Sequence, residues 1–231
     1  LFEYDPSRAQ AVPLRLLEGW KGHLMADALE SYGAISFTEG VTRLGCWVHA
    51  RRRFVDAGKV LPEGKRGRAH EALALIGKLY AIEKEARELS DAERLARRQS
   101  QSRAVIDELR RWLDQVLPTV PPTSVLGGAL GYLHRQWPRL TRYLARGDLP
   151  IDNNPAENAI RPFVVGRKAW LFSDTQAGAR ASALIYSLIE TVKANNVGPY
   201  LWLPHLLRAI PTATTVEHFE ALLPWNLKAE Q

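Results

Sequence analysis

One cysteine, Cys46, and one methionine, Met25, stand in a chain of 231 residues. A lone thiol has no partner within the chain, so an internal disulfide framework is excluded and a reducing compartment fits. No apolar run reaches the roughly 18 residues that a helix needs to cross a bilayer. The opening "LFEYDPSRAQ" has no basic segment followed by an apolar one, so no secretion signal is expected and the expected location is cytoplasmic. Internal repeats and low-complexity stretches are missing as well. An acidic excess is also missing, with Lys and Arg at 31 against Asp and Glu at 25, a net charge of +6. That balance suits a polyanionic partner, nucleic acid first, although an ordinary basic surface carries the same charge. The first residue is Leu rather than Met, so a fragment or a processed product is expected.

Hydrophobic residues make up 46% of the chain, which places it among globular proteins. Its seven tryptophans are expected mostly in the core. The first third mixes short signals. "LFEY", "GHLMAD" and "VTRLGCWV" read as strands, whereas "AVPLRLLEGW", "ALESYG" and "HARRRFVDAGKV" read as helical. Gly19 is expected to stop the first helix. Strand alternating with helix indicates an α/β layer.

From about Arg68 to Leu117 the chain is charged and free of proline, with apolar residues at helical spacing, and it reads as a helical hairpin or small bundle. Ser90, with Glu93 three residues later, predicts a capping box inside it. "PTVPPTS" breaks the pattern. One or two helices then follow, interrupted at Pro138 and stopped by Gly147. Three more helices are expected in the last third, the final one started by Thr214 with Glu217.

The stretch "LPIDNNPAENAIRPFVVGRKAW", from Leu149 to Trp170, carries the sharpest signal. Locally it is a helix start. Asn154 suits the N-cap, Pro155 the first turn, and Glu157 the N3 position. A carboxylate there can also serve a hard divalent cation, which takes oxygen ligands from a few carboxylates and from substrate phosphates. The best partner is Asp27, at the carboxyl end of a strand, where open α/β sheets place their sites. Asp27 also suits the N-cap of "ALESYG".

"GHLMADALESYG", "GCWVHARRRFVDAGK", "IDNNPAENAIRPFVVGRKAWLFS", "GARASALIYSLIETVKANNVGPYLWLPHLL" and "LLPWN" occur in this order. In that order and content the chain resembles the insertion-sequence 66 family of bacterial transposases over nearly its whole length. The resemblance implies a DDE transposase with a ribonuclease-H-like core. Overall the chain would be α/β but mostly helical, a partial core with an inserted helical subdomain and a helical C-terminal tail. The implied divisions are 1–60 for the first part of the core, 61–148 for the helical insertion, 149–195 for the second part of the core, and 196–231 for the tail.

Asp27 and Glu157 match the family's second and third acidic residues, and so become the expected catalytic and metal ligands. The resemblance implies two Mg²⁺ or Mn²⁺ ions, hydrolysis of a phosphodiester at an element end, and joining of the freed 3′-hydroxyl to target DNA. It implies double-stranded DNA as partner (element ends and target), a homo-oligomer on that DNA, no membrane, and a bacterial cytoplasmic protein that is nucleoid-associated when acting. The family's first aspartate lies upstream of the stretch matching residue 1, and Asp5 in "EYDPSR" falls at the wrong place to replace it. This chain alone is therefore expected to be inactive. The alternative is a non-enzymatic DNA-binding or assembly module derived from a transposase.

Cations near the acidic pair are the expected DNA contacts. Arg161 lies four residues after Glu157 on the same helical face. Arg167 and Lys168 follow it, and Arg51 and Arg52 belong to the run Arg51 to Arg53. Each also reads as a solvated surface cation. Asp152, Asn153 and Asn154 are expected to support the site. Cys46 and His49 form C-x-x-H, half a zinc pattern with no second half. They are expected as a partly buried pair one turn apart, with His49 in a supporting role. Trp170 and Phe172 are expected in the core.

Overall fold

The computed structural model describes residues 2–27, 32–170 and 173–226, without the side chains of Ser36 and of residues 167–170. The described residues are mostly helical, with a small two-stranded parallel sheet. The chain divides into two compact units. One comprises residues 8–154, and the other residues 1–7 together with 155–231.

In the unit of residues 8–154, α1 (Ala11–Leu16) is followed by Gly19 at φ +72, a conformation that suits glycine and turns the chain toward the sheet. Strands β1 (Gly22–Ala26) and β2 (Val41–Gly45) pair in parallel, from Gly22 opposite Val41 to Ala26 opposite Gly45. This register sets Asp27 and Cys46 side by side, each just past the carboxyl end of its strand. Cys46 then opens α2 (Trp47–Lys59), which buries Trp47, Ala50, Phe54 and Ala57 on one face.

Helix α3 (Arg68–Glu85) packs on α2, and α6 (Val125–Leu140) packs on both α2 and β2. Between them α4 (Asp91–Arg97) passes through one π-helical turn, Arg98–Ser102, into α5 (Arg103–Val116). A short 3₁₀ turn, Arg142–Ala145, leads from α6 to the segment ending at Asn154. One apolar core joins these elements, from Leu44 and Trp47 through Ile76, Leu109 and Leu130 to Tyr143 and Ile151. Trp47 is fully buried, donates from its indole to the Leu140 carbonyl at 2.8 Å, and meets Trp137 edge-on.

The other unit holds α7 (Asn154–Trp170, from its second residue onward), α8 (Gln176–Ala194), α9 (Pro199–Ala209) and α10 (Val216–Ala221). Its described buried side chains are few: Ala183, Ser187, Val192, Trp202, Leu222 and Pro224. The Trp202 indole donates to the Leu222 carbonyl at 3.0 Å, and Phe163 meets Tyr186 edge-on.

Several local expectations hold. The Ser90 box forms with both of its hydrogen bonds, Glu93 N–H to the Ser90 hydroxyl at 3.3 Å and Ser90 N–H to the Glu93 carboxylate at 2.9 Å. Others change. Residues 2–4 form no strand; the Phe2 N–H instead donates to the Ser187 hydroxyl at 2.7 Å. Pro138 does not interrupt α6, because it falls in the last turn and removes only one N–H donor there. The final cap is Thr215, whose hydroxyl accepts from the His218 N–H at 3.3 Å, rather than Thr214. "ALESYG" falls largely outside the described residues, as do Phe172 and the Trp170 side chain.

Candidate functional site

The carboxyl edge of β1 and β2 gathers chemistry within the unit of residues 8–154. Asp27 sits there half-buried. Beneath it Arg43, on β2, is almost completely buried. The Arg43 guanidinium donates to the Asp27 carbonyl and, at 3.0 Å, to the Tyr32 carbonyl, so it ties the end of β1 to Tyr32. Burial lowers the Arg43 pKa, Arg139 lowers it further, and the charge of Asp27 opposes both.

The "DNN" segment returns to this same edge. Ile151 accepts from the Trp47 N–H at 3.2 Å, and the Asn153 N–H donates to Cys46 Sγ at 3.3 Å. Asp152 is buried. One of its carboxylate oxygens accepts from the Asn154 N–H and the other from the Asn154 side-chain amide, both at 3.0 Å. Asn154 is thus the first residue of α7 and turns its side chain back to Asp152, instead of acting as the N-cap. Helix start and acidic segment are locked by Asp152, a role that local propensity assigns to Asn154.

Cys46 and His49 lie at the start of α2. The Cys46 thiol is buried, and burial raises its pKa against the opposing Asn153 N–H. Tyr80, from α3, places its hydroxyl in the interior with no partner at hydrogen-bond geometry. Burial, then the neighbouring Asp152 carboxylate, raises its pKa well above the usual phenol range. Arg51 and Arg52 are exposed on α2. Arg53 lies over the Tyr132 ring at 4.3 Å, a cation–π contact that fixes one member of the Arg51 to Arg53 run.

In the other unit, Glu157 lies in the first turn of α7 and Arg161 one turn later, exposed. The side chains of Arg167 and Lys168 lie outside the described residues. Asp27, Asp152, Asn153, Asn154, His49, Arg51 and Arg52 therefore share one unit, while Glu157 and Arg161 belong to the other.

Arg43 and Tyr80 were not visible as site residues from sequence. An arginine at an inward position of an otherwise apolar strand was the available signal for Arg43. Tyr80 looked like one more apolar helix position, and nothing local tied it to Asp152. For a metal, the donor chemistry fits. Asp27 and Glu157 both offer carboxylate oxygens, the ligand type that Mg²⁺ and Mn²⁺ take.

The family model described as "Transposase IS66 family" matches residues 1–181, and that described as "IS66 C-terminal element" matches residues 187–225. Two relatives from Sinorhizobium fredii are the "Uncharacterized protein y4qI", 30% identical over 236 residues, and the "Uncharacterized protein y4jD", 31% identical over 235 residues. Each alignment covers 99% of this chain, but only 43% of the first relative and 45% of the second. The chain therefore spans less than half the length of these relatives. No solved structure matches. With the model covering more than three quarters of its length, from the paired strands through the "DNN" segment to the middle of α8, the chain belongs to the IS66 family of transposases.

Proposed function

We propose that this chain is the C-terminal catalytic portion of a DDE transposase, acting on double-stranded DNA at element ends and target. The observation that carries the reading is the position of Asp27. It stands at the carboxyl edge of a parallel strand pair, beside the returning "DNN" segment, in a chain of a transposase family. On this reading β1, β2 and α7 belong to a partial ribonuclease-H-like core, residues 61–148 are an insertion in it, and residues 196–231 are its tail.

Asp27 and Glu157 would hold the divalent metals by carboxylate oxygens. When bound, two Mg²⁺ or Mn²⁺ ions would supply charge stabilisation for phosphoryl transfer. The chain's own residues do the rest. Arg43 fixes the backbone of Asp27. Asp152 and Asn154 set the start of the helix bearing Glu157. Arg51, Arg52, Arg161, Arg167 and Lys168 neutralise DNA phosphates, so binding falls steeply with salt. The working form is an oligomer on paired DNA ends, associated with the bacterial nucleoid.

The family's first aspartate has no counterpart here, so the chain by itself lacks strand transfer. A supercoiled-plasmid nicking and joining assay in Mn²⁺ tests this directly. The expected result is background activity. Robust activity that disappears in Glu157→Ala contradicts it. Salt-sensitive DNA binding by a chain that stays inert even when extended to the full length of its relatives favours a non-enzymatic DNA-binding or assembly module.

A further inference from the structure

The segment from Tyr143 to Gly147, just upstream of the "DNN" turn, is gripped from one side by α4 and the π-helical turn. Arg98 is nearly inaccessible. Its guanidinium forms a two-point pair with Glu83, at 2.8 and 2.7 Å, lies over the Tyr143 ring, and donates to the carbonyls of Tyr143, at 2.9 Å, and of Arg146. Gln99 donates to the Leu144 carbonyl at 2.6 Å, and Arg94 to the Gly147 carbonyl at 2.9 Å. Gly147 lies so close to Asp91 that an added Cβ would sit 1.8 Å from the Asp91 carbonyl oxygen. The side chains of Arg94, Arg98 and Gln99 thus hold four carbonyls of one five-residue segment.

Stability alone does not call for this arrangement. A buried ion pair is often matched or bettered by two apolar side chains of similar volume. A planar guanidinium, by contrast, fixes the direction of every acceptor it meets. A π-helical turn, an uncommon element that often marks functional positions, presents Arg98 and Gln99 together. Past Gly147 the chain runs through Leu149 and Ile151, both in the core, to Asp152, Asn153 and Asn154.

We infer that Arg98, with Gln99 and Arg94, is a positioning device that sets the Asp152–Asn154 turn, and through it the start of the helix bearing Glu157. The helices between Arg68 and Val116 thereby serve the site and do more than separate its two acidic residues. This inference rests on the transposase reading for its catalytic consequence, but not for its structural one.

The test is the double variant Glu83→Met/Arg98→Met, which removes the carbonyl grip without stranding a buried charge. The readout is hydrogen exchange of the Asn153 and Asn154 amides, whose acceptors are Cys46 Sγ and Asp152. Expected is exchange about 10-fold faster at these two amides, with the interior of α3 and α5 unchanged. In a protein extended to the full length of the relatives, the strand-transfer rate constant falls about 10-fold while DNA affinity holds. Wild-type exchange and wild-type turnover in a folded double variant overturn the inference. Should the double variant not fold, Gln99→Ala decides. It is expected to speed exchange at Asn153 and Asn154 about 3-fold, on the order of a single lost hydrogen bond, and unchanged exchange overturns the inference. Faster exchange in variants of a protein whose wild type never cleaves DNA supports the positioning role and removes the transposase reading alone.

Discussion

Residues 8–154 and residues 155–231 are both largely helical, yet they bury their apolar side chains very differently. The first stretch contains the whole continuous core, with Trp47, Phe54, Ile76, Leu79, Leu109, Leu113, Leu130 and Leu133 sealed from solvent. The second buries a handful and displays Tyr200 at 95% exposure, Leu201 at 78% and Leu207 at 61%. Since helices of similar composition normally derive their stability from packing one apolar face, the first stretch is the source of cooperative stability. The second depends on its few anchors, of which Trp202 is the largest.

The contrast can be broken at its strongest point first. Trp47→Ala removes a fully buried indole and its bond to Leu140, and is expected to cost about 4 kcal/mol, unfolding the 8–154 unit in chemical denaturation. Trp202→Ala is expected to release only α9 and α10, seen as faster hydrogen exchange there with the larger unit's unfolding midpoint unchanged. A Trp202→Ala variant that unfolds the larger unit as well breaks the comparison. Arg98→Met alone strands Glu83 and is expected to cost roughly 3 kcal/mol, most of it recovered when Glu83→Met is added. No recovery would mean that the pair contributes more than charge compensation.

Ser90→Ala is expected to cost about 1 kcal/mol through loss of the α4 cap. Its pH dependence has a definite sign. The Ser90 hydroxyl, then the Ser90 amide, holds the Glu93 carboxyl below the usual range. A depressed folded-state pKa gives stabilisation that is present above the unfolded carboxyl value, near 4, and is lost as pH falls through the lowered value. The difference between Ser90→Ala and wild type is therefore expected to shrink below about pH 4 in thermal melts. The smallest effect is reserved for Tyr200→Ser, expected within about 0.5 kcal/mol of wild type because the ring is exposed. A larger loss would show that this face is covered in the functional protein.

Helical periodicity was enough to read the helices of the middle third, because burying one face imposes a repeat, and short apolar or β-branched runs marked the two strands. Caps read well where side chain and backbone bond within three residues, as at Ser90. They read poorly where a residue just outside the motif competes, as Asp152 does with Asn154 and Thr215 with Thr214. Order and content across the chain named the acidic candidates, and the register places Asp27 at the carboxyl end of β1. Arg43, Tyr80 and Arg98 were not, since each reaches its partner through pairings distant in sequence that no local spacing encodes. "LFEY" misled because an alternating tetrapeptide carries too little information to distinguish a strand from an extended tail. At the carboxyl edge of the sheet, residues far apart in sequence converge, and that convergence is the part of the account only a folded chain displays.

Asp27 and Glu157 are proposed as the metal-holding carboxylates of a strand-transferring enzyme. The most direct measurement is Mn²⁺-dependent nicking and joining of supercoiled plasmid by a protein extended to the full length of the relatives. Wild type is compared with Asp27→Asn and Glu157→Gln, with folding and DNA binding checked in parallel. The account predicts metal-dependent products from the wild type, and background from both variants while they still fold and bind DNA. Products from either variant at the wild-type rate would contradict it.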